Sequence, residues 1–236
     1  MDIKGLLEYW KGNYYTDGLV LLMAIIGIII INKNKSRTIN IFSYYFGGFI
    51  VLKLFYFLHA LFITQTSFHY TMVSIDYYAD YLFTLFEFYI FVSFFKTILE
   101  SQFHRNILNS IVYCFTIIGS AILIKDIVFY GFPQKINIHL LFIIQALSLL
   151  IPCVLYYTNL FKGEPTLNLL NEPSFWIVTG LSFFMICTLP YSFFIDYLLK
   201  TDFIVYRHLF SIFHIFYILL FIMIIRAHLC RPIAAK

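Results

Sequence analysis

Seven uninterrupted apolar runs dominate the sequence, at approximately residues 15–32, 40–64, 76–98, 107–130, 138–161, 173–198 and 203–226. Each is close to the ~20 residues that a helix needs to cross ~30 Å of hydrocarbon. Inside a bilayer every backbone N–H and C=O must find its partner within the protein, which leaves helices or closed barrels. The runs are continuous rather than alternating, so helices are expected. Composition agrees: 61% of the 236 residues are hydrophobic and only 12% charged, against roughly 25% charged in soluble domains. The fold expected is all-α: a polytopic membrane protein with seven transmembrane helices in one bundle, forming a single domain over residues 1–236.

The connections between runs are short and turn-like, so no second domain is expected. The lead-in Met1–Asn13 reads either as a short interfacial helix with Leu6, Leu7 and Trp10 on its apolar side or as a loose tail. No cleavable signal peptide is read in it, because the first apolar run follows an acidic, aromatic stretch without a small-residue cleavage pattern. The net charge of +4 comes from scattered basic residues, which points away from nucleic acid as a partner and towards the lipid bilayer. With the N-terminus outside, nine Lys and Arg fall on the cytoplasmic side and six on the other. The densest basic cluster, Lys33-Asn34-Lys35-Ser36-Arg37, directly follows the first run, which usually dominates orientation. An integral plasma (inner) membrane protein with its N-terminus outside and C-terminus cytoplasmic is therefore expected.

Ionisable residues inside the runs carry the most information, since a charge at the centre of a span costs ~2.5–3.5 kcal/mol even on the lenient insertion scale. Lys53 lies about halfway along the second run and Glu87 about halfway along the third. A buried Lys53–Glu87 ion pair, a polar latch between two sequential helices, follows from that placement. On the third helix Asp76, Asp80 and Glu87 fall within roughly 40° of one another. In the assumed topology His59, Asp80, His139, Gln145 and His214 gather in the outer half of the bundle, whereas the inner half is nearly all apolar. This asymmetry predicts a polar cavity open to the outside.

The same residues admit other chemistry. His59, His139 and His214 would have to converge to hold a catalytic zinc. The seven-helix hydrolases of the ceramidase and adiponectin-receptor superfamily place a His-x-x-x-His pair on the last helix. Here His208 and His214 are six apart, about 240° around a helix, so their side chains diverge, and no metal site is expected. A retinal Schiff base is excluded because Phe203–Ile225 contains no lysine. No catalytic serine motif or phosphate-binding glycine loop is present. No cofactor is expected, and catalysis is the less favoured reading.

Two stretches carry a resemblance. Tyr81-Leu82-Phe83-Thr84-Leu85-Phe86-Glu87-Phe88-Tyr89-Ile90-Phe91, continuing to Ser93-Phe94-Phe95, and Glu172-Pro173-Ser174-Phe175-Trp176-Ile177-Val178-Thr179-Gly180 resemble a group of uncharacterised bacterial seven-helix membrane proteins. Members of that group also occur as membrane modules ahead of sensor histidine kinases. The resemblance implies a receptor-like sensor and gives Glu87 and the Phe-Trp-Ile-x-x-Gly opening of helix six a recurring role. Because this chain ends about ten residues after the last run, signalling through a separate cytoplasmic or membrane partner is expected, with homo-oligomerisation as a further possibility. An intramembrane lipid-modifying hydrolase and a transporter or channel subunit are the alternative readings.

Overall fold

The computed structural model describes residues 3–33, 40–63, 69–130, 138–162, 169–201 and 203–230. Among them are seven α-helices: α1 (Ile3–Lys33), α2 (Ile41–Ile63), α3 (His69–Ile98), α4 (Gln102–Tyr130), α5 (Ile138–Lys162), α6 (Pro173–Thr201) and α7 (Phe203–Leu229). A single 3₁₀ turn, Leu169–Asn171, precedes α6, and no strand occurs among the described residues. Pro173 opens α6 where its missing N–H costs nothing, and α5 and α6 continue through Pro152 and Pro190.

Six of the helices are long and apolar enough to cross a membrane: Ile41–Leu58, Asp76–Ile98, Gln102–Val128, Ile138–Lys162, Pro173–Ile195 and Ser211–Leu229. The first helix is not among them, so the structure supports six of the seven expected spans. The lead-in is neither a separate element nor a tail from Ile3 onwards, because α1 is one helix through Lys33. Its exposed residues argue for a lipid setting. Val51, Leu82, Tyr113, Val128 and Val154 are each more than half exposed, and the apolar patches they extend exceed what a water-soluble monomer presents. The chain is accordingly read as an integral membrane protein.

Contacts order the helices as a ring. α1 packs on α2 and α7, α2 on α3, α3 on α5, α5 on α6 and α6 on α7, while α4 lies outside against α3 and α5. Aromatic side chains fill the centre. Phe221 of α7 meets Tyr45, Phe46 and Phe49 of α2 at ring-centroid distances of 4.8 to 5.8 Å. Phe142 of α5 reaches Phe213 of α7 at 5.8 Å. Helix α7 therefore touches four others, and any shift of it is felt across the bundle.

The same contacts set the register of α2 against α3. Tyr45 meets Glu87 and Phe49 meets Phe83, so the two helices run antiparallel and the residue of α3 level with Lys53 is near position 79. Tyr56 meeting Asp80 is consistent with this.

Candidate functional site

Three polar junctions tie the helices together, and they lie at different depths. The first joins α1, α2 and α7. Lys53 Nζ donates to Asp17 Oδ1 at 2.6 Å, and His214 Nε2 lies 2.9 Å from the same oxygen. Lys53 also stands over the rings of Phe49 and Tyr56, at 5.5 and 5.9 Å, so its charge is held by a carboxylate and two aromatic faces. The junction is partly open: the Asp17 side chain keeps 31% of its exposure, against 5% for His214.

The second junction joins α2 and α3 a turn nearer the side where α1 begins. There the Tyr56 hydroxyl donates to Asp80, and Lys53 lies within electrostatic reach of the Asp80 carboxylate. The third is deepest and joins α2, α3 and α5. Glu87 is fully buried; Tyr45 Oη donates to its Oε1 at 2.6 Å and Gln145 Nε2 to its Oε2 at 2.9 Å. Both donors are neutral. Gln145 Oε1 is buried without a hydrogen-bond partner. The Tyr217 ring of α7 packs on Phe49 of α2, with centroids 5.7 Å apart, and Phe49 lies between Tyr45 and Tyr56 along that helix.

The expected Lys53–Glu87 pair is therefore replaced by two separate arrangements. The reason is register. Glu87 is level with Tyr45, eight residues before Lys53, and at ~1.5 Å per residue this separates the two charges by about 12 Å along the bundle. Lys53 instead meets Asp17, which sits at the lip of the first apolar run. Depth offers a signal for His214, though not for Asp17. Lys53 lies ten residues from the end of α2 and His214 eleven from the start of α7, which is equal depth on neighbouring helices.

The other expected cavity residues distribute as follows. Asp80, Gln145 and His214 each enter one of the junctions, but three different ones. His139 opens α5 and is half-buried. The side chain of His59 lies outside the described residues. No group of three metal-ligating side chains occurs among the described residues. Rather than lining one open cavity, the polar side chains of the junctions bond to one another. A cavity of about 470 Å³ does lie between α6 and α7, but Pro190, Phe194, Ile212, Phe213 and Phe216 give it an apolar wall.

On the opposite side of the bundle the Phe-Trp-Ile-x-x-Gly stretch forms a clamp. Trp176 Nε1 donates to Leu170 O at 2.9 Å, and the Arg226 guanidinium lies 5.4 Å from the Trp176 ring. The 3₁₀ turn, the start of α6 and the end of α7 are thereby held together. One turn further in, Gly180 allows a close α6–α7 contact: a Cβ there would stand 2.6 Å from Met223 Cβ.

No family model matches the chain, and neither a curated protein nor a solved structure does. The functional reading rests on the junctions alone.

Proposed function

We propose that the chain is a seven-span sensor or receptor-like module of the bacterial inner membrane, with its N-terminus outside, its C-terminus in the cytoplasm and a polar site in its outer half. On this reading α1 is the seventh span, and output passes to a separate signalling protein at the cytoplasmic face. The observation that carries the proposal is the shared Asp17 carboxylate, which binds Lys53 of α2 and His214 of α7 at one oxygen. A partly exposed group that holds three helices is a natural input. Neutralising it removes a partner from two charged or polar side chains at once, and a buried cation without its anion is strongly destabilising. The response is a change in the balance between two helix packings, biased by whatever binds or protonates the junction.

The output end is the Trp176–Arg226 clamp, which sits at the far end of α7 from His214. A tilt of α7 that begins at the Asp17 junction therefore arrives where a cytoplasmic partner would dock. The test uses spin labels at two exposed positions on the output half, Ile29 of α1 and Leu229 of α7. Their distance distribution in lipid nanodiscs should shift or broaden in Asp17→Asn relative to the parent protein. An unchanged distribution in Asp17→Asn and in Lys53→Met would show that the junction is a static brace.

A further inference from the structure

Of the three junction carboxyls, Glu87 is the one with no cationic side chain among its partners. Asp17 has Lys53 and His214 within 3 Å. Asp80 has the Tyr56 hydroxyl and the field of Lys53. Glu87 has two hydrogen-bond donors, both neutral, and no exposure at all. Every element packed around it has been accounted for. α2 presents Tyr45, α5 presents Gln145 and α7 presents Tyr217, while on α3 itself Asp80 is the nearest acid, two turns away. Lys53 and Asp17 lie beyond Asp80, and no charged side chain of α4 or α6 touches Glu87 among the described residues. An ionised carboxylate in such a place is far costlier than a neutral one, and in practice an isolated buried carboxyl takes up a proton rather than remain charged.

We propose that Glu87 is a proton-binding site, occupied in the packing seen in the structure. This deepens the sensor reading, on which it rests, by naming the proton as the ligand. Tyr45 and Gln145 close the carboxyl from α2 and α5, and the Gln145 Oε1 beside it is buried without a hydrogen-bond partner. Beyond Glu87 the wall is aromatic: Phe42, Phe91 and Phe94 are fully buried against one another, with ring centroids 5.3 to 5.5 Å apart. On loading, one proton leaves water and the Glu87 carboxylate becomes a carboxylic acid. Release leaves a carboxylate among α2, α3 and α5 whose donors, Tyr45 and Gln145, are both neutral, and the packing around it must open or rearrange.

Infrared spectroscopy of the full-length chain in lipid nanodiscs tests this. At neutral pH the protein should show the C=O stretch of a hydrogen-bonded carboxylic acid, shifted by carbon-13 labelling of glutamate and lost in Glu87→Gln. Among the described glutamates only Glu87 is buried, so the isotope shift identifies the band even if the variant folds poorly. Absence of the band, or its survival in a folded Glu87→Gln, overturns the assignment of the proton to Glu87. A proton on Glu87 with no change in the α1–α7 distances on neutralising Asp17 would overturn the sensor reading alone, and a shift in those distances without the band would overturn the proton site alone.

Discussion

At the scale of single residues, the partner of Lys53 decides which side chains act together. Residues in direct contact usually couple by ~0.5–3 kcal/mol, while those more than ~7–10 Å apart add to within ~0.5 kcal/mol. The structure therefore predicts that Asp17→Asn and Lys53→Met, measured singly and together by thermal unfolding in detergent, deviate from additivity. Lys53→Met combined with Glu87→Gln should be additive. The reverse pattern would restore the pair that the midpoints of the apolar runs imply. Those midpoints identified which charges are buried but not which ones meet. A hydrophobic run many residues long is insensitive to a shift of two turns, and Glu87 and Lys53 differ by about that much in depth. Asp17 was illegible for a related reason. It stands where the apolar run begins, and only its helical continuation back to Ile3 places it inside the bundle.

At the scale of elements, the existence of the helices was legible and their ends were not. The apolar stretch assigned to the third span begins near residue 76, yet α3 starts at His69; the fourth begins near 107, yet α4 starts at Gln102. Hydropathy reports where hydrocarbon ends, but the ladder of backbone hydrogen bonds continues into the polar interface without needing apolar side chains. What holds neighbouring elements together is closer to composition. Between membrane helices lipid offers no hydrophobic drive, so close packing at small residues matters. Gly180→Ala should separate α6 from α7, because Met223 Cβ is fixed to its backbone and cannot turn aside as the end of a long side chain would. A destabilisation of ~1–3 kcal/mol, the usual cost of an overpacked contact, is expected in detergent unfolding. Gly18, with nothing within 4 Å of its would-be Cβ, is the matched control and should tolerate Ala with little loss. An equal effect at both positions would mean that helix propensity, and not the α6–α7 contact, sets the response.

At the scale of the whole molecule, parity sets the topology: six spans put the termini on one side of the membrane and seven put them on opposite sides. Helix α1 decides between the two, and its neighbours bear on its place. Asp17 meets Lys53 and His214, Phe46 sits against Gly27, and Ile31 is buried near the far end. From Asp17 to Ile31 is 14 residues, about 21 Å of helix at ~1.5 Å per residue. Both helices that line this length, α2 and α7, are among the six apolar enough to span, so α1 cannot lie flat on the surface and keep those contacts. On the proposed seven-span reading it runs beside them through most of the hydrocarbon. Its one fully charged intruder, Asp17, is neutralised at the junction, which removes the main cost of taking it in. Single-cysteine variants on a background lacking the four native cysteines, one at Met1 and one at Lys236, should react with a membrane-impermeant maleimide on opposite faces. Whole cells should label only the N-terminal site, and inverted membrane vesicles only the C-terminal one. Labelling of both from the same face would leave α1 outside the bilayer and break the Asp17 junction from which the sensor reading starts.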